Sequence, residues 1–208
     1  MYNVFSEFIF PRHIIVCDDD EYPSYKQQLI KQCYEEFIED CEGVKYSNSG
    51  GWQSRPKYSF KEGDKLYFFV EKLKKIVSES FSKQGSFIEE TNFTITRMWI
   101  NISGNGAYNH QHTHPFCHYS GIFYVKTKER CGNVVFSQHI YDSYDSIFRT
   151  EQFKEDNNYS TCIHYKPIEG RTLLFPSNLI HAVEKNNSES DRISISFDIS
   201  FHNHNLDA

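Results

Sequence analysis

The densest chemistry in this sequence lies in one short run, Asn109-His110-Gln111-His112-Thr113-His114-Pro115. Side chains alternate faces along a strand, so His110, His112 and His114 would point the same way if the run is extended, with Pro115 ending the strand. An apolar core has no use for imidazoles in a row, whereas two imidazoles two residues apart can grip one metal ion. Imidazole suits iron, zinc, copper and nickel, so the ligand type alone does not name the metal. A further ligand must come from elsewhere in the chain. His181 is best placed: a strand ends at Pro176, a short turn follows, and His181 begins the next strand. His118, His139, His164, His202 and His204 are poorer candidates, the last two because they sit close to the C-terminal end. Beyond His181 comes Arg192-Ile193-Ser194, with Arg192 and Ser194 on one face of a strand. A guanidinium matches a carboxylate through two parallel bonds, and a hydroxyl adds another.

These residues need a scaffold that brings distant strands together. From Ser86 to Phe201 the chain is rich in Val, Ile, Thr, Phe and Tyr, broken by Gly, Asn and Pro. Strands are predicted over residues 93–102, the His-rich run, 119–127, 133–138, 160–167, 171–176 and 192–201. Upstream, residues 4–17 suggest a strand pair or strand and turn interrupted by Pro11. Asp18 to Glu21 suits the N-terminus of a helix, where carboxylates are favoured. Residues 22–41 place Tyr25, Leu29, Cys33, Phe37 and Cys41 at steps of four, the stripe of an amphipathic helix. A second helix is predicted over 61–84, with Leu66, Phe69, Val70 and Leu73 inward and Gly85 ending it; 46–58 is read as loop. Helices followed by many short strands predict a mainly β, α+β chain: a jelly-roll, cupin-like double-stranded β-helix core over about 86–201, buttressed by a helical N-terminal part over about 1–85. The polar stretch 141–160 is a lid or a long surface loop.

Length and composition set outer limits. At 208 residues, one domain spanning 1–208 is expected. The 14 Tyr and 18 Phe supply burial that argues against disorder. A net charge of -6 without a basic block argues against nucleic acid as a partner. No apolar run reaches the roughly 18 residues needed to span a bilayer, and no secretory signal is evident. The six cysteines form no C-x-x-C pair and are read as reduced, buried packing residues in a cytoplasmic protein.

Taken together, His112 to Pro115, Ser120-Gly121-Ile122-Phe123-Tyr124, Gly170 to Pro176, His181 and Arg192 to Phe197 resemble the 2-oxoglutarate/Fe(II)-dependent oxygenases, most closely a group found in bacteria and marine phages. Gly50-Gly51-Trp52-Gln53-Ser54 also looks like that group, so the likeness covers most of residues 46–201. It implies a dioxygenase using Fe(II), 2-oxoglutarate and O2, with succinate and CO2 released and a substrate hydroxylated. It also implies iron on His112, His114 and His181, and 2-oxoglutarate on Arg192 and Ser194. Tyr124 and Asn101 are candidates for further contacts to the co-substrate; Tyr108, Asn109 and His110 for the substrate or the surroundings of the metal; Trp99 reads as core. One departure stands out. The superfamily's usual carboxylate ligand is replaced by His114, which either ligates iron or lies just behind it. Two rivals use the same histidines: a three-His cupin dioxygenase, such as a thiol dioxygenase, that does not use 2-oxoglutarate, and a metal-binding jelly roll without activity. The expected partner is a small molecule or a protein side chain; a homodimer and a phage origin, with the host cytoplasm as compartment, are compatible with the sequence.

Overall fold

The computed structural model describes residues 12–85, 92–137 and 162–202. It contains two helices, α1 (Tyr22–Glu39) and α2 (Tyr67–Ser82). Its strands are β1 (Ile15–Asp18), β2 (Asn48–Ser49), β3 (Trp52–Gln53), β4 (Phe93–Ser103), β5 (Tyr108–His112), β6 (Tyr119–Lys126), β7 (Val134–Ser137), β8 (Cys162–Tyr165), β9 (Arg171–Pro176), β10 (Ile180–Val183) and β11 (Arg192–Phe201). They form two antiparallel sheets, ordered β1-β9-β6-β11-β4-β3 and β2-β5-β10-β7-β8. Strands alternate between the sheets from β4 to β7 and again from β8 to β11, as a double-stranded β-helix requires. No helix among the described residues is long and apolar enough to cross a membrane.

The three layers follow from side-chain periodicity. Leu29 and Cys33 of α1, with Phe69, Leu73 and Val77 of α2, are completely buried against the outer face of the six-stranded sheet. Burial of each large apolar side chain contributes about 1.5–3 kcal/mol. Strand β11 shows the division of labour most clearly. Its odd residues Ile193, Ile195, Phe197 and Ile199 face that helical layer and are completely buried. Its even residues Arg192, Ser194, Ser196 and Asp198 face the other sheet and are also buried, at 3, 8, 7 and 0 % exposure. A smaller apolar cluster of Tyr124, Phe136, Leu173 and Phe175 fills part of the space between the sheets. On the β11 side, the remaining space between the sheets is therefore walled by polar side chains.

Gly121 explains one fixed position of the fold. It pairs with Phe197 across β6 and β11, and the Phe197 ring occupies the place of a β-carbon, which would stand 2.2 Å from Cζ. Only glycine leaves room for that ring.

Several expectations change. Helix α2 begins at Tyr67 rather than near residue 61. Lys61 N donates to Asp64 Oδ2, Asp64 N donates back to Lys61 O, and Gly63 adopts a φ of 97°, so this segment is a closed turn. The acidic run meets the start of α1 through Asp19, whose Oδ1 accepts from Glu21 N at 2.8 Å, while Glu21, the N-cap residue, makes no cap bond with its own side chain. Asp18 instead makes a two-pronged pair with Arg171, at 2.7 and 2.8 Å. The loop read over 46–58 contains β2 and β3, which extend one edge of each sheet. Of the predicted opening strands, Ile15–Asp18 is one strand on β9, and residues 1–11 lie outside the described part. The stretch 141–160 also lies outside it. All six cysteines are free thiols, but Cys41 and Cys162 are exposed rather than buried.

Candidate active site

Between the sheets lies a cavity of about 460 Å³. His112, His114 and His181 meet in it, each offering a ring nitrogen within 4.8 Å of the other two. His181 and His112 are direct cross-strand partners on β10 and β5. His114 arrives differently. Strand β5 ends at His112, so strand alternation does not carry the chain as far as His114. Instead, His114 N donates to Ser177 O at 2.8 Å and Ser177 N donates to His118 O, so the turn after β9 clamps the 114–118 segment in place.

The ring tautomers follow from what surrounds each Nδ1. His112 Nδ1 is 2.7 Å from His110 O, His181 Nδ1 is 2.9 Å from Leu179 O, and His114 Nδ1 is 2.8 Å from Asp198 Oδ1. A carbonyl and a carboxylate only accept, so each Nδ1 carries a proton, and in a neutral ring Nε2 is then the atom with the lone pair. Burial lowers the His181 pKa to about 3, aided by the neighbouring His112, and burial also lowers that of His112. Neutral imidazoles with free Nε2 atoms are the form in which histidine binds metal. The Ser47 hydroxyl, 3.5 Å from His112 Nε2, is too distant to compete strongly. Phe175 packs on the His181 ring at 4.9 Å and on Phe136 at 4.8 Å, so the cluster rests against a dry aromatic wall. This donor set fits Fe(II).

Strands β4, β11 and β6 form the opposite wall in register. Asn101, Ser194 and Tyr124 stand side by side, as do Arg97, Asp198 and Ser120. Arg192 is 3 % exposed and also lines the cavity. Its Nη1 donates to the carbonyls of Cys131, Gly132 and Glu184, the latter two at 3.2 and 3.3 Å. No acidic side chain among the described residues pairs with it. Burial lowers its pKa, while the same desolvation raises that of Tyr124 and keeps the phenol a neutral donor. A buried, fixed cation beside a hydroxyl and a phenol is a receptor for a carboxylate.

The other candidates divide. Asn109 lines the cavity and its Nδ2 donates to Ser47 Oγ at 3.2 Å. His110 is exposed at the rim and meets Tyr108 edge to face, with ring centres 4.9 Å apart, and Tyr108 is not among the residues that line the cavity. His110 therefore stands apart from the three clustered histidines, and its contribution to them is its backbone carbonyl. Trp99, read as core, lines the cavity 5.4 Å from the His114 ring with Arg97 over its face. His118 and His164 lie elsewhere, bonded to Phe201 N and Glu184. Asp198, Ser120 and Arg97 are site residues that the sequence does not single out. The alternation that selects Arg192 and Ser194 also reaches Asp198 on the same face.

Comparison with known proteins agrees with this geometry. Residues 97–198 match the family model described as "Putative 2OG-Fe(II) oxygenase". No protein of curated function matches the chain by sequence. Among solved structures it is similar to a Pseudomonas putida prolyl-4-hydroxylase, with a TM-score of 0.59 and 11% identity over 90% of this chain and 92% of that one. It is also similar to the viral collagen prolyl hydroxylase of Paramecium Bursaria Chlorella virus-1, with a TM-score of 0.56 and 12% identity over 89% and 94% of the two chains. The non-heme alpha ketoglutarate dependent epimerase SnoN from nogalamycin biosynthesis gives a TM-score of 0.63 at 8% identity, over 93% and 80%. These likenesses establish the double-stranded β-helix fold. The family match thus assigns residues 97–198, which hold most of the cavity's chemistry, to the 2OG-Fe(II) oxygenases, enzymes that use Fe(II), 2-oxoglutarate and O2.

Proposed function

We propose that the protein hydroxylates a C–H bond of a small molecule or of a peptide side chain, with Fe(II) on Nε2 of His112, His114 and His181 and the distal carboxylate of 2-oxoglutarate on Arg192. The observation that carries this reading is Arg192 itself: a buried cation without an acidic partner among the described residues, lining the same cavity as the histidine cluster. When bound, Fe(II) supplies the oxidising chemistry that splits 2-oxoglutarate and O2 to succinate and CO2 and leaves an oxygen atom for the substrate. The chain supplies position and dryness. Nη1 of Arg192 is tied to three backbone carbonyls, so the guanidinium is already oriented before a carboxylate arrives. Ser194 and Tyr124 add neutral donors beside it, and Asn101 stands next in the same row. Phe136 and Phe175 keep water from the back of the histidine cluster. Tyr46, Pro56, Arg97 and Trp99 line another part of the cavity, open for the primary substrate.

The test is anaerobic titration of the Fe(II)-loaded protein with 2-oxoglutarate, following the metal-to-ligand charge-transfer band in the visible. A band in the wild type that weakens in Arg192→Ala supports the reading. Bound iron without a band would favour a three-His dioxygenase that ignores 2-oxoglutarate. No iron uptake would refute the enzyme reading altogether.

A further inference from the structure

The three clustered imidazoles are oriented by unlike partners. His112 and His181 each donate Nδ1–H to a neutral backbone carbonyl on their own strand or turn. His114 alone is oriented by side chains from the opposite sheet: its Nδ1 stands 2.8 Å from Asp198 Oδ1 and 2.8 Å from Ser120 Oγ, which spends its own proton on Asp198. Asp198 is completely buried. Its Oδ1 also accepts from Ser120 Oγ at 2.6 Å, and Oδ2 accepts from Arg97 Nε. Every acceptor position of this carboxylate that meets protein is thus given to a donor, and the arrangement is rigid on both sides.

We propose that Asp198 is the positioning residue of the metal centre: it holds His114 as the Nδ1–H tautomer and places a negative charge directly behind it. This rests on reading His114 as a ligand of iron. The position of His114 in the H-x-H run is the one where the superfamily pattern has a carboxylate ligand. Three neutral imidazoles would leave the dipositive charge of the metal uncompensated. Asp198 restores that charge one residue further out, and a carboxylate bonded to a ligating imidazole makes the imidazole a stronger donor. Arg97 secures the far oxygen, while Ser120 shares the near one, so the carboxylate cannot turn away from His114.

An amide cannot do the same work. In an Asp198→Asn variant the side-chain oxygen can face only one of the two donors. Turned to Arg97, it leaves the NH2 facing His114, so the Nδ1–H tautomer loses its carboxylate acceptor and keeps only the weaker Ser120 hydroxyl, while the opposite tautomer, with the proton on Nε2 where the metal must bind, gains an acceptor role toward the NH2. Turned to His114, it sets the NH2 against the Arg97 donor. Removal of such a partner costs roughly 10–100-fold in metal affinity.

The experiment is Co(II) titration of the metal-free full chain, read by the visible d–d bands, for wild type, Asp198→Asn, His114→Ala and the double variant. The expected result is a roughly 10–100-fold weaker Co(II) affinity for Asp198→Asn and no further loss when Asp198→Asn is added to His114→Ala. A merely structural Asp198 would keep costing affinity in the His114→Ala background, which would overturn the proposal, as would wild-type affinity in Asp198→Asn. The ring tautomer is read separately by long-range 1H–15N NMR of the imidazoles in the unmutated, metal-free protein, so the proposal stays testable even if the variant does not fold. Nδ1–H on His114 supports it; Nε2–H refutes it. Failure of the wild type to take up Co(II) at all would instead refute the metal reading, which Asp198→Asn alone does not touch.

Discussion

Arg192→Met should separate the stability of the protein from its ability to be stabilised by 2-oxoglutarate. The wild-type guanidinium is buried without an acidic partner among the described residues, so the ligand-free fold carries a desolvated charge. Methionine removes that charge but also removes the donor to the carbonyls of Cys131, Gly132 and Glu184. These effects oppose each other, and the ligand-free variant should unfold within about 2 kcal/mol of wild type. The response to ligand should change far more. At a 2-oxoglutarate concentration of about 100 Kd the wild type gains about 2.7 kcal/mol. Loss of a buried charge-assisted carboxylate contact costs about 2–5 kcal/mol, or roughly 30-fold or more in Kd. At the same concentration the variant then gains less than about 0.9 kcal/mol. For a chain of this size the wild-type shift corresponds to about 5–11 °C in Tm and the variant shift to less than about 4 °C. The assay is thermal unfolding with and without 2-oxoglutarate, with Mn(II) in the site so that no turnover consumes the ligand. A ligand-free Arg192→Met that loses more than about 4 kcal/mol would make Arg192 a structural residue and sink the argument. An undiminished ligand shift would place 2-oxoglutarate elsewhere.

Three other perturbations probe the scaffold. Gly121→Ala forces a β-carbon to 2.2 Å from Phe197 Cζ and should destabilise by about 1–3 kcal/mol in urea, with Phe197→Leu relieving part of the cost; additive effects would show that the ring does not fill that space. Leu73→Ala opens the core between α2 and the six-stranded sheet and should cost about 2–5 kcal/mol, yet leave the 2-oxoglutarate affinity of the folded protein within about twofold, because Leu73 lies on the face away from the cavity; a large loss of affinity would contradict that layering. Acid should destabilise the metal-free protein through His181. Its folded pKa is about 3, against about 6.5 in the unfolded chain, so below about pH 6.5 the unfolded state takes a proton that the folded state refuses. Stability is therefore complete above about pH 6.5 and falls as the pH is lowered toward about 3, by up to about 1.4 kcal/mol per pH unit from this group, with His112 acting in the same direction. Urea midpoints between about pH 8 and pH 5 check this, and an equal slope in His181→Gln would remove His181 as the cause.

Much of this architecture is legible in local sequence because periodicity is local. The stripe Tyr25, Leu29, Cys33 predicts α1 and its buried face, and alternation over 192–201 predicts β11 with apolar residues on one side. Short polar segments mislead where turn chemistry wins. The residues around Gly63 continue a helical pattern, although Lys61 and Asp64 close a turn before α2 can start. Strands β2 and β3 are invisible to periodicity because two residues carry no period, and they exist only because the edges of the two sheets accept them.

The site is legible as a list of residues but not as a geometry, and the reason lies in register. Alternation correctly sets Arg192 and Ser194 on one face, and the same step of two reaches Ser196 and Asp198. What Asp198 does there depends on its neighbours across the sheet, Arg97 on β4 and Ser120 on β6. The register of β11 with β4 runs unbroken from Arg192 to Asp198 and shifts only beyond it, so those neighbours follow once the strands are paired; the pairing itself is not written in local sequence. His114 makes the same point from the other side. Strand alternation picks it out, but its position comes from Ser177, in a turn more than sixty residues later. The imidazoles thus converge from a strand, a clamp and a second strand, and a carboxylate from the facing sheet fixes one of them. A reading confined to the H-x-H run finds candidate ligands for a metal but not the carboxylate behind His114; that group is visible only when the two sheets are closed on each other.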